Sequence, residues 1–344
     1  MYIDYYGFTG HPFLMTPDAR LYFPSTVHNR AHAHLVYGLA QREGFVVITG
    51  EVGAGKTTLV EKLCAELDPA SYRIAHIMTS QVSGEDLLRL VADAFEVPSE
   101  GPKAALLRGI TEALRTGERI GRRHLLIVDE AQALAPSALE ELRMLSNVTE
   151  EGRALLQTVL LGQPQLRRII ASPDLDQLRQ RVLASYHLGG LSREETAAYV
   201  EHRMRAVGWA GHPAWGQGAL EEVHRHTGGI PRRINRLCGR VLLGGALEQA
   251  DTLTADLVRL TAQELEEDLS AGAENARATL ARPEPATTPY APTTLYAAGD
   301  PHGGYAAVVA DLARRIELLE IQSARRERVF NRLIDLFAAL DLRR

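Results

Sequence analysis

Short apolar runs alternate with amphipathic stretches through the first part of the chain. The runs fall at 45–49, 73–78, 125–129 and 157–161, with a weaker one near 186–188. A continuous apolar run has no polar face, so each predicts a strand buried on both sides. Helical patterns between such strands predict a parallel sheet covered on both faces. After Leu191 the period becomes helical. Ser192 and Glu195 have capping-box spacing ahead of TAAYVEHRMRAVG. Further helices are expected at 219–226 and 232–248, the second opening after Pro231. The pattern predicts an α/β domain followed by a small helical domain.

Beyond the helical domain the composition changes. Residues 281–304 hold five of the sixteen prolines, with Thr, Ala and Gly between them. Such a stretch cannot bury enough apolar surface to offset the entropy of ordering it, and it predicts a flexible linker. Apolar positions then recur at Val309, Leu312, Ile316, Leu319, Phe330, Leu333, Phe337 and Leu340. The spacing alternates three and four, a heptad seam interrupted at Ser323 and Arg326. It fits a coiled coil or an amphipathic helix docked on the rest of the chain. The sequence therefore divides into an α/β domain with an N-terminal lead-in at 1–190, a helical lid at 191–265, an acidic, Pro-rich linker at 266–304 and a C-terminal heptad helix at 305–344.

Composition adds exclusions. The chain has 344 residues, a formal net charge of −5, 45% hydrophobic and 24% charged residues, ordinary values for a globular protein. No apolar run approaches the ~18 residues that cross a bilayer. The start MYIDYYGF carries an acid where a secretory signal carries a basic region, so a cytoplasmic chain is expected. Cys64 and Cys238 are far apart and indicate neither a disulfide framework nor a zinc site. Lysine occurs at Lys56, Lys62 and Lys103 only. Residues 1–263 carry net −2 and no basic tract, which disfavours nucleic acid as a partner without excluding a basic stripe in an oligomer's channel.

The segment with the clearest chemistry is Gly50-Glu51-Val52-Gly53-Ala54-Gly55-Lys56-Thr57, followed by Thr58. It matches GxxxxGK[ST] at each fixed position, with the strand FVVIT before it and a helical pattern after it. The glycines permit a tight loop whose N–H groups face phosphates, and the helix N-terminus adds positive potential. Lys56 is expected to reach the β- and γ-phosphates of a nucleotide, and Thr57 to offer its hydroxyl to Mg²⁺. A second apolar strand ends in Asp129-Glu130. Asp129 is expected beside the metal and Glu130 as the base that takes a proton from the attacking water. Neither Lys62 nor Lys103 lies in an NKxD-type guanine-reading context, so ATP is expected over GTP.

These motifs, in this order, resemble AAA+ ATPases of the general secretion pathway protein A type. The resemblance rests on YYGFTGHPFLMTPDARLYFPS, REGFVVITGEVGAGKTTL, IVDEAQAL, LEELRMLSN, LLGQPQL, QRVLASYHLGGLSREETAAYVEHR and GGIPRRINRLC, which span about residues 1–260. The subgroups it most resembles serve exosortase and exopolysaccharide export or pilus assembly. It implies a P-loop AAA+ core of the ASCE type with a helical lid. It also implies a polar sensor at Gln163, an arginine finger at Arg181 with Arg179 as its rival, and a second sensor at Arg232 rather than Arg233. The finger would enter a neighbouring subunit's site, so a homo-oligomer, ring or filament, is implied. The implied role is to power or regulate assembly of a cell-envelope export system, from the cytoplasm or the inner face of the plasma membrane, with a partner recruited by the C-terminal helix. The alternative is a DNA-associated AAA+ ATPase of the transposition-target or replication-loader type. Typical secretion-pathway members continue into a membrane span and a peptidoglycan-binding domain, and neither is expected here. His28, His32 and His34 are close in sequence, but His32 and His34 point apart on a helix, so no metal site is expected. Pro12, Phe8 and Phe13 are expected to pack the lead-in against the nucleotide domain, near the adenine.

Overall fold

The computed structural model describes residues 2–14, 21–78 and 82–280. The heptad helix and all but the first part of the expected linker lie outside the described residues. Five parallel strands form the central sheet: β1 (Phe45–Gly50), β2 (Tyr72–Met78), β3 (Arg123–Asp129), β4 (Leu156–Gly162) and β5 (Val182–Leu188), in the order β2-β3-β4-β1-β5. β4 pairs with both β1 and β3, with Leu160 opposite Val47 and Val128. The C-terminal ends of β1, β4 and β3 therefore stand side by side.

The alternation within β1 shows why the apolar runs are continuous. Phe45 and Val47 join one core with residues of α4 (Gly84–Ala94), α5 (Lys103–Arg119) and α6 (Pro136–Leu145). Val46 and Ile48 join the opposite core with Leu35 and Leu39 of α2 (Thr26–Gln41) and Leu59 and Leu63 of α3 (Lys56–Glu66). Every residue of β1 and of β4 is buried. A strand covered on both faces is mostly apolar, and the polar Gln157 is accommodated by donating to Gly38 O at 2.6 Å and Glu43 O at 3.1 Å. The short α7 (Gln165–Ile170) follows β4.

The helical domain comprises α8 (Arg193–Arg205), α9 (Ala219–Thr227), α10 (Pro231–Leu247) and α11 (Ala255–Leu280). Both arms of the capping box at the start of α8 are made: Ser192 Oγ accepts from Glu195 N–H at 3.1 Å, and Glu195 Oε2 accepts from Ser192 N–H at 3.2 Å. Pro231 occupies the first turn of α10, as expected.

Two boundaries differ from the sequence reading. The first part of the lead-in packs on the helical domain and not, as expected, on the nucleotide domain, which only its end meets, with Tyr22 under Lys62. Tyr6 of α1 (Tyr2–Tyr6), Phe8 and Phe13 are buried in one cluster with Tyr199, Val200, Met204, Leu237 and Val241. The physical reason is a gap among the lid helices that these aromatic rings fill, together with an anchor. The Arg203 guanidinium, 6% exposed, donates to Pro12 O at 2.7 Å and Leu14 O at 3.3 Å, and to Tyr199 Oη at 2.7 Å. The second difference is α11, which continues to Leu280 past the boundary placed at 265. Residues 266–280 contain no proline, the first of the linker being Pro283, so nothing in the backbone stops the helix there.

Arg203→Ala is expected to destabilise the helical domain by about 3 kcal/mol, because two main-chain carbonyls and a buried phenol lose a charged donor at once. Thermal unfolding checks this, with the exposed Arg233→Ala on the same domain as comparison. Equal midpoints for the two variants would contradict it.

Candidate nucleotide-binding site

The loop joining β1 to α3 is shaped by two close approaches. Gly53 and Gly55 have φ of +82° and +97°, the left-handed region. A Cβ on Gly53 would lie 2.1 Å from Arg232 Cβ, and one on Gly55 would lie 2.6 Å from His28 Nε2. Any side chain at either position collides with the element that holds the loop. Lys56, only 6% exposed, donates to Gly50 O at 2.9 Å and Glu51 O at 3.1 Å. Its ammonium folds back along the loop. Burial holds the Lys56 pKa below its ordinary value, against the pull of the Glu130, Asp129 and Glu51 carboxylates.

Across the loop stands the end of β3. Thr57 Oγ1 donates to Asp129 Oδ2 at 2.8 Å. A hydroxyl and a carboxylate converging at the cleft form an all-oxygen donor set, which suits Mg²⁺. Glu130 has φ +53°, ψ +35°, a left-handed conformation for a residue with a side chain. Such strain persists only where the surroundings impose it. The Glu130 amide donates to Asp129 Oδ1 at 2.8 Å. Its carboxylate Oε2 accepts from Gln132 Nε2 at 2.5 Å and from Gln163 Nε2 at 3.1 Å. Gln132 Oε1 accepts from the Gln163 main-chain N–H at 2.8 Å. Burial pushes the Glu130 pKa up, but the two amides and the Lys56 charge outweigh it, and the carboxyl is held below its ordinary value. Glu130 is thus an ionised carboxylate fixed by two amide donors.

The three elements face one cleft of about 280 Å³. Val52, Gly53, Lys56, Thr57, Thr58 and Glu130 form its floor. Tyr199, Arg203, Pro231, Arg232 and Asn235 come from the helical domain, and Leu14, Leu21, Tyr22, Phe23 and His28 from the lead-in and α2. The Arg232 N–H donates to Gly53 O at 3.2 Å, which ties the first turn of α10 to the phosphate loop. Arg233 does not line the cleft.

Lys56, Thr57, Asp129, Glu130, Gln163 and Arg232 are therefore gathered at one place, along with the loop residues Gly50 to Thr58. Arg181 is not. It precedes β5, where its carbonyl accepts from Phe45 N–H at 2.9 Å, at the opposite end of β1 from the loop. Six residues of strand put roughly 15–20 Å between Arg181 and the loop of its own chain. Its rival Arg179 is paired with Asp176 on its own helical turn.

Two residues of this site were not singled out from the sequence. Gln132 lies within the IVDEAQAL block, and its signal was an amide two residues past the acid pair. His28 was considered only as a metal ligand. Among the described residues no group of three or more His, Cys, Asp or Glu is placed to hold a metal; His32 pairs with Glu66 and His34 stacks on Tyr186. His28 instead supports the loop. A carbonyl only accepts, so Nε2 donates to Ala54 O at 3.0 Å, and Nδ1 contacts the Ser25 hydroxyl at 2.6 Å.

Residues 39–170 match the AAA domain family. Over 267 residues the chain is 38% identical to general secretion pathway protein A of Aeromonas hydrophila. That alignment takes in 77% of this chain and 48% of the relative, so the chain spans about half the relative's length. Cdc6p of Pyrobaculum aerophilum has a similar fold, with a TM-score of 0.57 at 16% identity over 72% of this chain and 71% of that one. So does the ORC2 protein of Aeropyrum pernix in its ADPNP–ADP complexes, with a TM-score of 0.52 at 18% identity over 72% and 71% of the two chains. The fold is that of AAA+ P-loop proteins, as the motifs implied. Among the described residues no helix is long and apolar enough to cross a membrane.

Proposed function

We propose that this chain, an AAA+ P-loop protein related to general secretion pathway protein A, is a Mg²⁺-dependent ATPase that powers or regulates assembly of a cell-envelope export system. The observation that carries the enzymatic part is the Glu130 carboxylate, ionised and held by Gln132 and Gln163 across the cleft from Lys56. In this reading the loop from Gly50 to Thr58 cradles the phosphates, and Lys56 meets the β- and γ-phosphates. Thr57 and Asp129 hold Mg²⁺, which supplies positive charge against the charge developing on the phosphates. Glu130 takes the proton of the attacking water. Gln163 reports the γ-phosphate to Glu130, to which it is already bonded, and Arg232 reports it to the lid. Arg181 serves the site of a neighbouring copy in a homo-oligomer. Leu14, Leu21, Tyr22 and Phe23 provide an apolar wall for the adenine.

The export role is supported by the relative's name alone. In this reading the chain acts at the cytoplasmic side of the membrane, and residues 305–344 recruit an export-system partner. Hydrolysis is tested by phosphate release with Mg²⁺ against excess chelator. Lys56→Ala is expected to weaken binding of a fluorescent ATP analogue about 30- to 100-fold, from the loss of charge-assisted bonds worth about 2–3 kcal/mol. Phosphate release that is indifferent to the chelator, or unchanged affinity in the variant, would overturn the reading.

A further inference from the structure

Arg181 is half-buried, and its guanidinium makes no ion pair among the described residues. Instead Nη1 donates to the carbonyl and to the hydroxyl of Ser146, at 3.2 and 3.3 Å. Ser146 follows α6 directly and is 1% exposed. Its hydroxyl donates to Arg143 O at 2.7 Å. That bond commits the hydroxyl hydrogen and turns the oxygen lone pairs outward, toward the guanidinium. Serine here is donor and acceptor at once, which alanine cannot be.

A buried serine at a helix end bonding back to a carbonyl three residues earlier is a common local arrangement. An arginine beside a helix C-terminus is equally ordinary. Neither explains why an uncompensated arginine from another element is directed onto this serine. The backbone of Arg181 is fixed as well, since its carbonyl accepts from Phe45 N–H. Gly44, at φ +64°, leaves the space for this: a Cβ there would lie 2.5 Å from Arg181 O. The residue is clamped at its main chain by β1 and at its guanidinium by the end of α6.

We propose that Ser146 is the positioning residue of Arg181, holding the guanidinium in the orientation in which it meets the nucleotide of the neighbouring copy. The proposal rests on the reading of Arg181 as a finger acting in trans. It adds a consequence for regulation. α6 begins six residues after Glu130, so the arginine offered to the neighbour is registered against this subunit's own catalytic strand by one short helix.

The test separates the two subunits of one interface. Glu130→Gln subunits cannot hydrolyse but still offer Arg181; Arg181→Ala subunits keep an intact site but offer no finger. Mixed, they regain activity if the finger acts in trans. Ser146→Ala is then added to one partner at a time, and phosphate release is measured at saturating ATP. The expected loss is about tenfold when Ser146→Ala is on the finger-donating subunit, as for a misplacement well under 1 Å, and under twofold when it is on the other. In the otherwise wild-type chain, Ser146→Ala should lower kcat by a similar factor with the KM for ATP within twofold. Equal losses from both placements, or none from either, overturn the assignment while the trans reading stands. Absence of activity in the unmodified mixture overturns the trans reading, and this assignment with it.

Discussion

Glu130→Gln is expected to reduce ATP turnover by about 10²–10⁴-fold, the usual span for removal of a general base. ATP binding should stay within a few-fold of wild type. The substitution is nearly isosteric, so the cleft keeps its shape, and Lys56, Thr57 and Asp129 remain in place. What disappears is the carboxylate proposed to accept the proton of the attacking water. Gln132 and Gln163 both donate to the one carboxylate oxygen Oε2, so the substituted amide can set its own oxygen there and keep both bonds, while its NH2 replaces the other oxygen. The pH profile gives an independent reading. A base works when deprotonated, and the two amides and Lys56 hold the Glu130 pKa below its ordinary value. The acid limb of kcat should therefore lie below the ordinary glutamate range. Removing one of the amides, as in Gln132→Ala, should move that limb to higher pH, since burial, which raises the pKa, is then less opposed. Single-turnover phosphate release over a pH series measures both. A Glu130→Gln variant that hydrolyses ATP at the wild-type rate would remove Glu130 from the role.

The sequence made the central layer legible because its signals were local and covalently ordered. β1 and β4 read as strands because nearly every residue is apolar, which both faces require since every residue is buried. The phosphate loop read from its glycines because two left-handed positions and two tight contacts demand them. Asp129 and Glu130 read from their place at the end of a strand. What the sequence left hidden was long-range. Nothing local in HPFLM says that Phe13 fills a lid built from residues 191 onward; that depends on Arg203 capturing Pro12 O across 191 positions. Pro12 and its neighbours suggested a segment needing cover but not which domain supplies it. Gln132 was missed for the same reason. Its role depends on β4 lying next to β3, so that one amide can bridge the Glu130 carboxylate and the Gln163 N–H. The extension of α11 to Leu280 was missed because the acidic composition of 266–280 was weighted over its lack of proline.

Arg181→Ala is expected to reduce turnover by about 10³–10⁵-fold, the range in which an arginine supplied to a phosphoryl-transfer transition state acts. If Arg181 acts on a nucleotide, the geometry makes that a nucleotide of another copy. Arg181 is fixed at the start of β5 by Phe45, while the phosphate loop lies beyond Gly50 at the other end of the neighbouring strand. No rotamer of one side chain spans a strand's length. If the loss arose within one chain, the two variants Arg181→Ala and Glu130→Gln would stay inactive in any mixture. If it arises between copies, each interface that sets an intact Glu130 against an intact Arg181 is restored, about a quarter of interfaces in a random equimolar head-to-tail assembly. The same reading makes turnover per subunit rise with protein concentration until assembly is complete, because an isolated chain would have Arg232 in its cleft but would lack the neighbour's Arg181. Arg179→Ala provides the contrast. Its guanidinium is already engaged by Asp176 on an exposed turn, so its loss should cost turnover no more than a few-fold. A large loss from Arg179→Ala with full activity in Arg181→Ala would exchange the two assignments. A specific activity independent of concentration, with no restoration on mixing, would show that the site is complete within one chain.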